Sequence, residues 1–544
     1  MPPGLNGDDT SFAGSGQWAD GSNVRFRLGR PQVIGGWEAL MGQPLTGVCR
    51  TVFPWTDNAA VLNLAFGTHS KLQLWQGGAL YDITPTTGFT QGAIDGAGSA
   101  GYGTGAFGMG GYGLPSATDY FPLTWSFGAW GQQLLASPRN QSIFAWTNDT
   151  ASRAAPLANA PANVTHMLVA PLNGGYQVFA LGCNEEVSGA FNPLCIRHSS
   201  IRANTQWSTS ASGSTAREYI LTGGGRIVAG RMCGPYMLVW TSDALFLGTY
   251  VGSLNQPWRF DRVGRNCGLI GPNAAVVVGQ TAFWASPDRQ FYRYAAGGQP
   301  EPILCPIRQV FADKLAASQG DKVVASSNAE FSEVRFDYPD SRDGYENSRY
   351  LAVCLSGPDA GAWHRGVMAR TALADAGPAL YPVGVTYDGQ VYHHEKGHSA
   401  DGQAFSWFIE SADAYLDPDN CLLAREVWPD FKDQAGPVAV VVTQAFNWLT
   451  NRDKSRQYAQ GAVDRAMQGA LKGVSAELDR ASSRLRKVED QHERCEAELA
   501  EVRRRLDETE RDRGELRHHI DRLMAAEAGG PQPISVTPAT RRPS

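Results

Sequence analysis

The feature that most restricts this chain is a degenerate repeat. Between residues 47 and 400, strand-length apolar runs come in pairs joined by a polar turn, and the second run ends in aromatics. Tyr236-Met-Leu-Val-Trp is followed by Thr241-Ser-Asp and then Leu245-Phe-Leu-Gly-Thr-Tyr. Thr281-Ala-Phe-Trp-Ala is followed by Ser286-Pro-Asp and Gln290-Phe-Tyr-Arg-Tyr. Gln133 to Trp146 and Gly384 to His393 have the same shape. The units number roughly six or seven, each about 40–50 residues long, the length of four short strands and their turns. One such unit cannot bury both of its faces, and stacking the units against each other is the physical solution. The repeat therefore predicts a mainly β fold with a β-propeller body. The 61 glycines and 15 tryptophans agree with many turns and aromatic-packed strands.

The chain changes character near residue 460, where aromatics vanish and charged residues dominate. A heptad pattern then runs through Leu471, Val474, Leu478, Leu485, Val488, Leu499, Val502, Leu506, Leu516, Ile520 and Leu523. An unbroken register of this kind predicts a coiled-coil helix roughly 80 Å long. His492, Thr509 and Arg513 fall on the same seam, where polar residues fix register and strand number at a cost in stability. The expected organisation is an N-terminal arm (1–46), a propeller (47–404) carrying a Gly-rich insertion (86–115), a small β unit (405–460), a coiled-coil helix (465–528) and a polar tail (529–544).

Charge and cysteine usage remove several function classes. Acidic residues number 53 against 47 basic ones, a net charge of −6, whereas a generic nucleic-acid binder is basic. The nine cysteines are scattered, with no pair at zinc-knuckle spacing, which suits free thiols from a reducing compartment. The first residues lack the basic and apolar regions of a signal peptide, and no apolar run approaches the roughly 18 residues of a membrane helix. A soluble chain folded in a cytoplasm, without a membrane-spanning segment, is expected.

Motif matches are weak in context. His394-Glu395-Lys396-Gly397-His398 fits the zinc-protease string, which needs both histidines on one face of a helix. Here the string follows a strand-like run and contains glycine, so a turn with exposed histidines is expected. Gly96-Ala-Gly98-Ser-Ala-Gly101 matches a dinucleotide fingerprint but lacks the following helix. Asp337 with Asp340, and Asp413 with Asp417, could serve a glycosidase if they met in space, yet they read as solvated turn residues. No catalytic, cofactor or metal residue is assigned.

One string carries a resemblance. Gly16-Gln-Trp18-Ala-Asp20-Gly-Ser-Asn23-Val-Arg25-Phe-Arg27, then Gly29-Arg-Pro31 and Ile34-Gly35-Gly36-Trp37, resembles the opening of the tail nozzle proteins of short-tailed bacteriophages. These are also described as packaged-DNA stabilisation or tail tubular proteins. Trp125-Ser-Phe-Gly-Ala-Trp130 and Cys267-Gly-Leu-Ile-Gly-Pro272 resemble further family segments, as does the turn at His394-Glu395. The similarity spans about residues 4 to 430. It implies a non-enzymatic virion protein without cofactors, assembled in the host bacterial cytoplasm. The resemblance further implies a ring of six copies below the portal and tail adaptor, which holds packaged double-stranded DNA without sequence-specific contacts and passes it at ejection. The heptad helix departs from the family and offers a site for a tail fibre or tip protein. A propeller glycoside hydrolase and a receptor-binding tail component are the alternatives.

Overall fold

The structure is a computed structural model. It describes residues 1–8, 16–96, 121–172, 174–253 and 255–412, with isolated residues beyond them. The chain divides into two units, Met1–Pro418 and Asp419–Ser544.

The first unit is a seven-bladed β-propeller. Its seven blades are four-stranded antiparallel sheets, six of them formed by four consecutive strands. The first strand of each blade lies innermost: Cys49–Thr56, Trp125–Trp130, Val164–Leu172, Ile227–Cys233, Ala275–Val278, Val324–Asn328 and Ala372–Ala374. Each of these neighbours the next, and the seventh neighbours the first, so the ring is closed.

The burial pattern explains the sequence pattern. A second strand such as Gln133–Pro138 or Tyr236–Thr241 is buried at every position after its first. A sheet covered on both faces has no wet side, so its strands read as continuous apolar runs rather than as alternation. The core consequently lies between blades. Trp240 of the fourth blade and Trp284 of the fifth meet edge to face with ring centroids 5.5 Å apart. The Trp284 indole Nε1 also donates to the Cys267 carbonyl at 2.9 Å, which satisfies its one polar group.

The seventh blade is completed from the other end of the unit. Its strands Ala372–Ala374, Val383–Val385 and Val391–His394 are followed spatially by Trp37–Ala39. Ala39 pairs with Tyr392, Glu38 with His393 and Trp37 with His394. Two further N-terminal elements lie against Trp363–Val367, the outer strand of the sixth blade. One is the hairpin Val24–Arg27/Arg30–Val33. The other is Trp18–Ser22, which pairs with Phe408–Ser411.

Of the predicted small β unit, Phe408–Ser411 is a strand of the first unit, and most of its remainder lies outside the described residues. Every residue named above for the apolar heptad seam also lies outside them. The described residues at 501, 504, 505, 511, 513–515 and 517 are helical. There Glu501 pairs with Arg504 and Arg505 one turn away, at 3.0 and 3.1 Å. No helix among the described residues is long and apolar enough to cross a membrane.

Blade-to-blade aromatic packing sets a testable cost. Trp284→Ala removes a fully buried indole and leaves the Cys267 carbonyl without its donor. Urea denaturation should show a loss of about 3–5 kcal/mol, with the midpoint falling.

Candidate functional site

The N-terminal string folds into a clasp across the sixth and seventh blades. At its centre the Arg25 guanidinium binds the Glu395 carboxylate through two nitrogens. Its Nε also lies 3.3 Å from Glu333 Oε1. Glu395 accepts from the Gly35 amide at 2.9 Å and from Asn328 Nδ2 at 3.1 Å. The Phe331 ring covers Arg25, with the guanidinium carbon 3.7 Å from its centroid. Arg25 itself is 4% exposed, so these charges are held by each other rather than by water.

The other motif residues secure the same seam. Both oxygens of Asp20 accept from Arg365, at 2.8 and 2.6 Å. Asn23 takes the left-handed conformation, φ +56°, which asparagine tolerates. Its amide donates to the Val367 and Ser406 carbonyls at 3.3 and 2.9 Å. A Cβ on Gly35 would meet Glu395, and one on Gly36 would meet the Ser399 backbone. Trp37 packs 5.2 Å from Phe405 and 5.9 Å from His394, and Trp18 pairs with Ser411. All seven residues therefore join this seam, although their partners lie hundreds of positions away in sequence.

The zinc-protease string is part of the clasp. His394 ends a strand and Glu395 turns with φ +57°, so the two histidines do not share a helix face. The expectation of exposed histidines holds for His398 but is corrected for His394, which is buried. His394 Nε2 accepts from Arg370 Nε at 2.8 Å. Burial first, and then the neighbouring Arg370, hold its imidazole well below the ordinary histidine range. The carboxylates read as solvated turn residues are also corrected. Asp337 lies inside the strand Glu333–Pro339 and is bound by Arg335, while Asp340 is buried and bound by Arg342 and Arg349. Asp413, Asp417 and most of the glycine fingerprint lie outside the described residues.

Among the described residues, one cluster has metal-ligand chemistry. Potential ligand atoms of Glu333, Cys354 and His364 lie within 4.8 Å of one another, and all three residues are buried. The donors are already engaged, however. Glu333 Oε1 contacts His364 Nε2 at 3.1 Å and faces the Arg25 cation. Burial pushes the Glu333 carboxyl up, but His364 and Arg25 outweigh it and hold the group below its ordinary value. Burial pushes the Cys354 thiol up to about 12, which opposes the thiolate a metal requires. The arrangement is that of a polar brace.

A second network bridges the propeller axis, at the end where the innermost strands begin. Arg139 of the second blade pairs with Asp321, between the fifth and sixth, at 2.8 Å. Asn273, ahead of the fifth blade, donates to the Arg50 carbonyl of the first at 2.9 Å. These partners stand on opposite sides of a seven-membered ring, so the bonds run across its axis. Lys322 Nζ reaches Asp95, Glu346 and the Tyr345 carbonyl, and its side chain is fully buried. Arg50 binds Glu346 through two nitrogens at 2.6 and 2.7 Å. Residues 94–96, from the predicted insertion, enter this network: Ile94 accepts from Arg50, and Gly96 exchanges two hydrogen bonds with Gln319. On the other side of the insertion, Phe121 lies between the Arg139 and Arg226 guanidiniums, at 4.0 and 4.6 Å. Residues 97–120 lie outside the described residues. Sequence reading missed these ion pairs because nothing local marks a lysine or an arginine whose partner is supplied by a distant loop.

No family model matches the chain, and no curated protein matches it. The chain is similar to several solved structures at low identity. Against BBS1N in complex with ARL6DN it shows 11% identity over 66% of this chain and 97% of that one, with a TM-score of 0.38. Against the Cps50 (Swd1) β-propeller domain of Myceliophteria thermophila it shows 10% identity over 65% and 99%, with a TM-score of 0.38. Against Raptor of Chaetomium thermophilum it shows 10% identity over 67% and 30%, with a TM-score of 0.39. At these values the likeness carries no functional argument, and the propeller rests on its own strand order.

Two outcomes test the buried charges. Arg25→Met leaves Glu333 and Glu395 without their shared cation and should cost about 3–5 kcal/mol in urea denaturation. Adding Glu395→Met should then cost less than the two single changes summed, because the pair acts as one unit. The second outcome concerns pH. His166 and His394 are held well below the histidine range, and His198 is lowered to about 4, in each case by burial first. An unfolded imidazole gains a proton below about pH 6.5 while these stay neutral, so the unfolded state binds more protons and stability falls as pH falls. Denaturation midpoints should decline from pH 7 to pH 5, before the bulk of the carboxylates titrate. His394→Gln should flatten the slope by up to about 1.4 kcal/mol per pH unit.

Proposed function

We propose that this protein is a structural component of a short bacteriophage tail, the nozzle below the portal and its adaptor. In this reading a ring of copies retains packaged DNA and passes it at ejection. The observation that carries the proposal is the N-terminal string from Trp18 to Trp37, which resembles the nozzle family and is built into the ring closure. Resemblance in that string is resemblance in a closure device, since its residues answer to partners on the sixth and seventh blades.

Two physical features support the reading. The propeller's own axis is bridged by Arg139–Asp321 and by Asn273 to Arg50, so a double helix must pass beside the propeller, along the axis of a ring of copies. The net charge of −6 also suits a conduit, because a basic lining would grip the phosphate backbone that has to slide through it. The heptad helix then serves either as a bundle at the tail tip or as an anchor for another tail protein.

Antibody against residues 1–460 should place gold at the short tail of phage particles from the source culture. Particles assembled without the protein should lose their packaged DNA and fail to infect. Gold on peripheral fibres would favour receptor binding or glycan cleavage. Normal DNA retention and infectivity without the protein would overturn the nozzle.

A further inference from the structure

The hairpin Val24–Arg27/Arg30–Val33 ends in a tip that works against its own stability. Its turn residues Leu28 and Gly29 both have positive φ, +52° and +77°. Two-residue turns of this type favour Asn-Gly, since a leucine in the left-handed region costs about 1–2 kcal/mol. Leu28 is also 75% exposed, so burial offsets none of that cost. Arg27 and Arg30 stand directly opposite each other across the strands, a like-charge pair that destabilises a ladder. Inside the molecule the Gly29 amide donates to Asp359 Oδ1 at 2.8 Å and the Arg27 guanidinium lies 5.1 Å from the Phe331 ring, while Leu28 and Arg30 stay exposed. Local rules broken at such an exposed point mark a functional surface.

A complementary surface lies on the third blade, across the seven-blade ring from this hairpin. The turn after Gly175–Asn184 carries Glu185 and Glu186, and folds back so that the Glu186 amide donates to Glu218 Oε2 at 2.6 Å. Arg197 lies 3.9 Å from the carboxylates of both Glu186 and Glu218, while the Glu185 carboxylate accepts from Ser188 and Asn192 at 2.7 Å. The neighbouring Arg217 is directed to the other side, where it donates to the Asn255 carbonyl. The same patch exposes two aliphatics, Val187 at 98% and Ile220 at 53%.

We propose that the Arg27–Arg30 tip of one copy docks on the Glu185–Val187 patch of a second copy, head to tail, with Leu28 against Val187 and Ile220. The inference rests on the ring reading of the preceding subsection and names the surfaces that would build the ring. The two patches differ and lie on opposite sides of the propeller. Such a contact is heterologous, repeats from copy to copy, and closes into a ring when its rotation allows. Opposite charge fixes the register and rejects the symmetric alternative of basic tip against basic tip.

Cysteine cross-linking of the full chain tests this. The seven described cysteines are buried, and a Cys421→Ser/Cys495→Ser background removes the other two. In that background Leu28→Cys/Val187→Cys, oxidised with copper phenanthroline at high protein concentration, should give a ladder of covalent oligomers on a non-reducing gel. An equimolar mixture of the two single-cysteine variants should stop at dimers between them. Arg27→Glu/Arg30→Glu should lower the ladder yield at least about tenfold, and Glu185→Lys/Glu186→Lys in the same chain should restore it. No ladder, or dimers from the Leu28→Cys variant alone, would overturn the proposal. So would an unchanged ladder with weakened duplex DNA binding in Arg27→Glu/Arg30→Glu, because the tip would then be a phosphate contact. Tail labelling without a ladder removes only this interface, and a ladder without tail labelling removes only the nozzle.

Discussion

Closure of the ring is the constraint on which the rest of the structure depends. Six blades are self-contained meanders, but the seventh needs Trp37–Ala39 as its outer strand. Without that strand the third one would expose a row of unpaired backbone groups, and the seam would open to water. The buried pair of Arg25 with Glu395 reinforces the closure at the turn immediately beyond the paired strand. A buried ion pair contributes little net stability when compared with an apolar replacement. It does punish any arrangement that separates its members, and that property suits a closure.

The same logic runs through the interior. The half-buried Arg231 and the buried Arg370 are cations whose hydrogen bonds go to histidines and carbonyls: Arg231 to His166 and Pro272, Arg370 to His394 and Ala369. A neutral imidazole is the acceptor that lets a buried guanidinium keep its hydrogen bonds without a carboxylate. Each pair then depends on the histidine remaining unprotonated. Across the axis, Arg50, Lys322 and Arg139 are neutralised by Glu346, Asp95 and Asp321. The propeller is therefore stitched by charge across its axis.

The body of the fold was legible because blade packing writes itself into local sequence. Runs such as Tyr236-Met-Leu-Val-Trp are apolar at successive positions because both faces of the strand are covered, and the spacing of such runs gives the blade length. The use of Trp37–Ala39 as the missing seventh-blade strand was not legible. A three-residue strand containing glutamate has no periodicity to detect, and its partner is more than 350 positions away. The clasp residues stood out only as a string, and their spacing held no hint that Arg25 meets Glu395. The turn at the zinc-protease string was legible, but the burial of His394 was not, for a related reason. The histidine and the glutamate are there for separate partners, Arg370 and Arg25, on either side of one turn.

The clasp also sets the order of events on the ribosome. Asn23 waits for Ser406, and Arg25 for Glu395, a separation of 370 residues. At typical synthesis speeds of about 5–20 residues per second, the arm spends roughly 20–70 seconds without its partners. Six blades can collapse during that interval, but the ring stays an open crescent until the last one emerges. Chains growing side by side on one message hold identical free arms next to identical unfinished blades. Exchange of arms between neighbours is then the characteristic error of this architecture. A chain built this way gains from slow initiation, which spaces the nascent copies and gives each arm its own blade to close.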